Sequence, residues 1–488
     1  MNSKRALLIL GIAAIFALTS CSGLKTAVCT TNCTVSGNAT LNLTLSDTPP
    51  SGVGVISFTL PISGISLVPS TGSPVSVYSG GSVELTRLQS DSALVATGVS
   101  VPVGSYTAIK VTLGTSSGIF VNASSGSITS SAGTCAAGAF CALPPGAATT
   151  ITYTFPSALS LSANQTQWIG LDFDLNNALT TANGITVDFG QANVLTATTT
   201  VPTGIPSGYT ANIDDFVGLV TAYTSGSSIS VKSGIRGTLA ATITSATTFD
   251  DPQGLCSGAA SVASCISASG KTVVSVQAAL TNAGVIDATE IDVIDMSGAD
   301  SVEGFIYPSS CNGGSNYGLI LADSALPSAN ATLTGLSYGA GFCLTASPTA
   351  SFIVDTGFLP IGQPTTGFTN SNDIQVGQVV RMDVSNVVAG SVVDATATNF
   401  VLRYSRLSGT VNTVTGNNFS ITGLPTYLGF TLSPLVATYS SNTIFEGVTG
   451  VSGLSSSPPP AVAIRALYLN PTTAPLGVPF LAAKVRAN

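Results

Sequence analysis

Apolar residues recur at every second position along much of this chain, and that period of two commits it to β-strands. Leu41, Leu43 and Leu45 alternate with polar residues until Asp47-Thr48-Pro49-Pro50 closes the run. Residues 56–68 continue the pattern with Phe58, Leu60 and Ile62, then with Ile65 and Leu67 after a break at Gly64. Similar runs occupy 83–88, 101–113 and 169–175. Side chains two apart on a strand share a face, so each run reads as a half-buried strand. Composition agrees. Charged residues are only 7%, against roughly 25% in an ordinary globular chain. Ser, Thr, Asn and Gly carry the polar share instead; Thr and Val fit a pleated surface, while Gly and Asn turn it. Helices would need Glu, Lys, Gln and Leu on their faces, and a disordered chain would be poor in β-branched residues. The expectation is an exported all-β protein. Its 488 residues exceed one ordinary core and call for three or four domains.

The chain carries a formal net charge of −8 and no histidine. Its basic residues are few and scattered, which argues against nucleic acid as a partner, since phosphate binding needs clustered Lys and Arg.

The N-terminus carries an address. Lys4 and Arg5 precede an apolar run over residues 6–18, followed by Thr19-Ser20-Cys21. That run has the length of a signal h-region and is too short to span a bilayer. Leu18-Thr19-Ser20-Cys21 resembles the bacterial lipobox. The resemblance implies cleavage after residue 20, lipid on the Cys21 sulfur, and lasting attachment by several acyl chains. Ser22 in place of Asp after the cysteine points to an outer-membrane destination in the enteric pattern. Residues 21–38 read as a flexible tether, and lipid is the expected anchor.

With Cys21 assigned to lipid, the other eight of nine cysteines fall into four local couples: Cys29 with Cys33, Cys135 with Cys141, Cys256 with Cys265, and Cys311 with Cys343. An oxidising compartment permits such bridges. The Cys29/Cys33 spacing fits neither a Cys-x-x-Cys redox motif nor a zinc pattern, so structural disulfides are expected.

A strand ending in Asp47-Thr48-Pro49, the alternating run after it, Val83-Glu84-Leu85-Thr86-Arg87-Leu88, the Pro102 to Lys110 strand with Gly104 and Tyr106, and Leu171-Asp172-Phe173-Asp174 together resemble the domain of unknown function 4382 family over residues 39–200. Glu84 stands where that family more often has Asp. The resemblance implies an antiparallel β-sandwich without a known activity. Beyond residue 210 a looser repeat recurs. Its openings are Gly218-Leu219-Val220, Val302-Glu303-Gly304-Phe305-Ile306 and Leu407-Ser408-Gly409-Thr410-Val411. Its endings fall near residues 287–293, 394–402 and 480–485. A period of about 80 to 100 residues implies tandem domains. These units, at 213–297, 302–404 and 406–488, resemble the domain of unknown function 5666 family, which implies small β-barrel-like modules.

A search for chemistry finds little. Gly114-Thr115-Ser116-Ser117-Gly118 fits the nucleophile-elbow string, but an elbow needs a strand-to-helix turn and a histidine base. Lysines fall on alternating strand patterns, which reads as solvated. Asp172 and Asp174 lie two apart on one strand and point to one face. They are candidate calcium ligands or carbohydrate contacts, alongside Tyr106 as a loop aromatic. Asp214-Asp215 and Asp250-Asp251 read as acids in turns. No catalytic residue and no cofactor are expected. The leading expectation is a lipid-anchored envelope protein with a non-enzymatic binding, adhesion or scaffolding role toward other envelope proteins or glycans. A calcium- or carbohydrate-binding module is the alternative, and an extracellular hydrolase is the third reading.

Overall fold

A computed structural model describes residues 37–50, 54–122, 125–181, 184–308 and 316–487. Cys21, Cys29, Cys33 and Cys311, with the signal and nearly all of the tether, lie outside the described residues. The fold is all-β, a sandwich followed by small barrel-like units. No described helix is long and apolar enough to cross a membrane.

The sandwich has two sheets. One orders its strands as Leu195–Thr198, Thr166–Asp174, Asn38–Thr48 and Ala93–Pro102; the other as Phe140–Ala142, Ser117–Val121, Gly54–Pro69, Gly104–Leu113 and Thr149–Leu161. Leu41, Leu43 and Leu45 meet Phe58, Leu60 and Ile62 in one core, together with Ile169, Leu171 and Phe173. Asn38–Thr48 and Thr166–Asp174 run parallel, which the long excursion between them allows. The first strand was expected to be half-buried, yet Asn42, Thr44 and Ser46 on its polar face are buried as well. The next unit covers that face. Thr97 Oγ1 donates to Gly284 O at 2.7 Å and to Asn42 Oδ1 at 3.1 Å. Trp168 Nε1 donates to Thr44 Oγ1 at 3.0 Å, while its ring joins the following unit's core.

That unit is a closed barrel of Tyr209–Thr224, Ser228–Lys232, Thr238–Asp250, Ile286–Asp295 and Val273–Thr281. Tyr209–Thr224 pairs antiparallel with Ser228–Lys232 and Val273–Thr281, Thr238–Asp250 runs parallel to Ile286–Asp295, and Val273–Thr281 runs antiparallel to Ile286–Asp295. The same pairing recurs twice. In the middle unit Ser301–Tyr307 opens, Gly341–Ala346 and Phe352–Val354 run parallel to Val393–Thr415, and Val379–Val388 runs antiparallel to it. In the last unit Leu435–Ala437 and Ile444–Glu446 run parallel to Phe480–Ala487, and Ala461–Tyr468 runs antiparallel to it. The strand Val393–Thr415 closes the middle unit and opens the last, so residues 404–406 lie inside one unbroken strand.

The three openings share a glycine for a steric reason. A Cβ on Gly218 would lie 2.4 Å from Lys232 O, on Gly304 2.1 Å from Ile320 O, and on Gly409 2.5 Å from Thr422 O. Each first strand bends onto its second at that point, and only a residue without a side chain permits the approach.

Candidate functional site

A strand normally sends neighbouring side chains to opposite faces. Asp214 and Asp215 escape this rule because the pairing of Tyr209–Thr224 with Val273–Thr281 skips between Ile213 and Phe216. Such a bulge re-aims side chains, and both carboxylates enter the space between units. The expectation of a turn pair is therefore corrected: both lie within a strand and are buried.

The basic residues converge on them. Arg87, in the 3-10 turn Leu85–Leu88 of the sandwich, places Nε 2.8 Å from Asp214 Oδ2 and Nη1 3.2 Å from Glu303 Oε1. Arg236 Nη2 stands 2.9 Å from Asp214 Oδ2, with its guanidinium 4.7 Å from the Phe216 ring centre. Arg403 reaches Asp215 Oδ2 at 2.9 Å, Glu303 Oε2 at 3.2 Å and Ser275 Oγ at 2.8 Å, and also pairs with Asp355. Arg406 joins both Asp214 and Asp215. A second knot ties the last strand to the sandwich: Lys484 Nζ lies 3.2 Å from Asp91 Oδ1 and 2.8 Å from Glu446 Oε2, and Arg486 Nε lies 3.2 Å from Glu446 Oε1. Lys484 was expected on a solvated strand face; it is wholly buried, because both faces of Phe480–Ala487 are covered.

Burial alone would raise the Asp215 carboxyl, but Arg406, Arg87 and Arg403 hold it well below the usual range. Burial likewise opposes the Asp91 charge, and Arg465 with Lys484 brings it down to about 2. Glu303 follows the same logic, lowered by Arg403 and Arg87 against its burial. These ions are fixed and mutually neutralised. The arrangement joins units; it offers no free acid or base.

A different group of carboxyls lies on the barrel's outer face. Thr248 and Asp250 stand in parallel register with Glu290 and Asp292. Burial, then the Asp292 charge, pushes the Glu290 carboxyl far above its usual range, and burial raises Asp292 as well. Asp250 and Glu290 border a cleft of about 500 Å³ closed on its other side by residues 356–362.

The residues singled out from the sequence are dispersed. Asp172 accepts from Ser46 Oγ at 2.9 Å and Thr48 Oγ1 at 2.8 Å. Asp174 caps the short helix Leu175–Ala178, accepting from Asn177 N at 2.8 Å and Asn177 Nδ2 at 2.7 Å. Both carboxylates are thus engaged in holding the sheet and its exit turn. Among the described residues no group of three or more His, Cys, Asp or Glu is placed to hold a metal ion. Tyr106 is no loop aromatic: it is buried in Gly104–Leu113, and its hydroxyl donates to Pro102 O at 2.7 Å. Ser116 lies between two strands with no helix after it, its Oγ accepting from Gly146 N at 2.9 Å. Asp251 is a turn acid as expected, accepting from Leu255 N at 2.8 Å and Cys256 N at 2.6 Å. Cys135–Cys141 and Cys256–Cys265 are closed disulfides with Cα separations of 5.9 and 5.6 Å. Cys343 is disulfide-bonded too.

No local pattern of residues signals the charged junction. Its one available signal was scarcity: in a chain this poor in charge, each Arg on a strand pattern needs a reason.

The family model for Domain of unknown function (DUF4382) matches residues 38–189, which span most of the sandwich. No curated protein matches the chain.

Proposed function

We propose that this chain is an exported, lipid-anchored protein of the cell envelope, destined for the outer membrane, with a non-enzymatic role. It acts as a rigid body whose loops meet other envelope proteins or glycans in adhesion, assembly or scaffolding. The observation that carries the reading is the buried junction. Arg87 and Asp91 of the sandwich, Asp214 and Asp215 of the barrel, Glu303 and Arg403 of the middle unit, and Arg406 and Lys484 of the last unit are interlocked. Such a core stiffens the body while leaving its surface rich in Ser, Thr and Gly. Two closed disulfides support an oxidising compartment, and Leu18-Thr19-Ser20-Cys21 supports the anchor. Protease shaving of intact cells, with mass spectrometry of the mature N-terminal peptide, tests it. The expected peptide begins at Cys21 and carries acyl mass; an unmodified peptide beginning upstream of Cys21 would refute it.

A second reading rests on a polar recess of about 270 Å³ between sandwich and last unit, bordered by Trp168, Asp172, Thr196, Thr198, Glu446 and Arg486. Hydroxyls, an acid and a guanidinium suit a saccharide. Calorimetry with a glycan panel, repeated on Asp172→Asn, tests it: no heat from any glycan would remove the reading.

A further inference from the structure

The sandwich leaves one long sheet edge open. Thr149–Leu161 is bonded on one side to Gly104–Leu113. Among the described residues no strand and no backbone hydrogen bond occupies its other side. Residues 149–154 pair one to one with residues 108–113, and the ladder skips only beyond them, between Thr154 and Leu159. Along the regular stretch every second residue therefore turns its N–H and C=O outward. The other ends of the two sandwich sheets are short or engaged. Phe140–Ala142 and Leu195–Thr198 have 3 and 4 residues. Ala93–Pro102 is twice bulged, and its Thr97 donates to Gly284 O of the barrel.

An open edge is a template for another strand unless charge, proline or a bulge blocks it. Nothing blocks residues 149–155, which read Thr-Thr-Ile-Thr-Tyr-Thr-Phe. Thr150, Thr152 and Thr154 stand exposed on one face. Ile151, Tyr153 and Phe155, on the other, are only half-buried against the sandwich core. Tyr153 and Phe155 meet edge to face with ring centres 5.7 Å apart, so an ordered apolar row lines the rim. The facing sheet ends in the 4-residue Leu195–Thr198 against the 13 residues of this strand, which leaves the row partly in water.

We propose that two copies of this chain associate along this edge, residues 149–154 of one pairing antiparallel with the same residues of the other. The segment is its own complement. A two-fold axis normal to the sheet sets each face beside the same face, so Thr meets Thr and the Ile151, Tyr153 and Phe155 row meets itself. The ladder already uses the first contact: the Thr112 and Thr150 hydroxyl oxygens lie 3.2 Å apart. Charge does not oppose the approach, although the chain carries −8. The strand has no charged residue, and Lys110, the one charge on Gly104–Leu113, stands opposite Thr152 one strand inward. Two such lysines would be at least roughly 14 Å apart, beyond the Debye length of about 8 Å at physiological salt. The shared ladder is about 20 Å long, so the association is reversible and depends on concentration. This inference is independent of the chain's compartment and anchor.

Sedimentation velocity of the full chain in density-matched non-ionic detergent, over about a hundredfold range of concentration, tests it together with amide hydrogen exchange at the two extremes. The expected result is a reversible monomer–dimer equilibrium, with exchange slowed at high concentration for residues 149–155 and not elsewhere. Thr152→Lys sets a charge beside its own copy at an exposed position and weakens dimerisation at least about tenfold, with Tm and circular dichroism unchanged. Thr150→Lys has the same effect, and Thr152→Val keeps the dimer. A monomer throughout the range, a dimer protected at other residues, or dimerisation undiminished in both lysine variants would each overturn it. Protection of residues 149–155 that ignores concentration would overturn it too, because the edge would then be covered within a single copy.

Discussion

Replacing Arg403 by Met tests the junction at its centre. Arg403 is 1% exposed and faces Asp215, Glu303 and Asp355, which are 3%, 2% and 0% exposed. Asp215 would retain Arg406 and Arg87, and Glu303 would retain Arg87. Asp355 has no other ion pair among the described residues. The Met side chain refills much of the volume, so the loss is chiefly electrostatic. Removing one partner of a buried pair costs about 3–5 kcal/mol, and the bond to Ser275 adds about 1 kcal/mol. Taken together, about 5 kcal/mol is expected, or a fall of roughly 1 M in the urea midpoint for a chain of this size. Trp168 is the only tryptophan and packs against the barrel core, so its fluorescence reports the junction. The control Lys232→Met, at an exposed position, should change stability by less than about 0.5 kcal/mol. A shift for Arg403→Met no larger than the control's would refute the claim that these pairs hold the units together.

The ionised knot and the protonated acids respond to pH with opposite signs. Asp91, held at about 2 against its burial by Arg465 and Lys484, stabilises above its unfolded pKa and loses that as pH falls toward 2; Asp91→Asn should flatten the acid limb of Tm against pH. Asp323 and Asp383, pushed up to about 6 by burial despite Arg236 and Arg381, stabilise most below pH 4 and lose it as pH rises through 6. Asp383→Asn should flatten that decline. Gly304→Ala would drive a Cβ against Ile320 O and should cost about 1–3 kcal/mol in urea unfolding. Removing the Cys256–Cys265 bridge, which spans 9 residues, should cost about 2–3 kcal/mol on the chain-entropy account, read from the same melts.

Much of the fold was legible because strand formation is a local matter. The alternation of Leu41, Leu43 and Leu45 and of Phe58, Leu60 and Ile62 identifies core faces within a few residues of chain. The recurring openings at Gly218, Gly304 and Gly409 share one steric demand, a close approach of the neighbouring strand's carbonyl, and so repeat the same residue. Near cysteines such as Cys135 and Cys141 pair because little chain separates them. The buried junction had no such local trace. Asp214-Asp215 looks like a turn until a bulge, set by a partner strand some sixty residues onward, turns both inward. Lys484 looks solvated until Asp91, 393 residues earlier, meets it. Period and propensity act over neighbours and were written in the sequence alone. Which charges are buried, and beside which partners, depends on how whole units dock, and only the tertiary structure decided that.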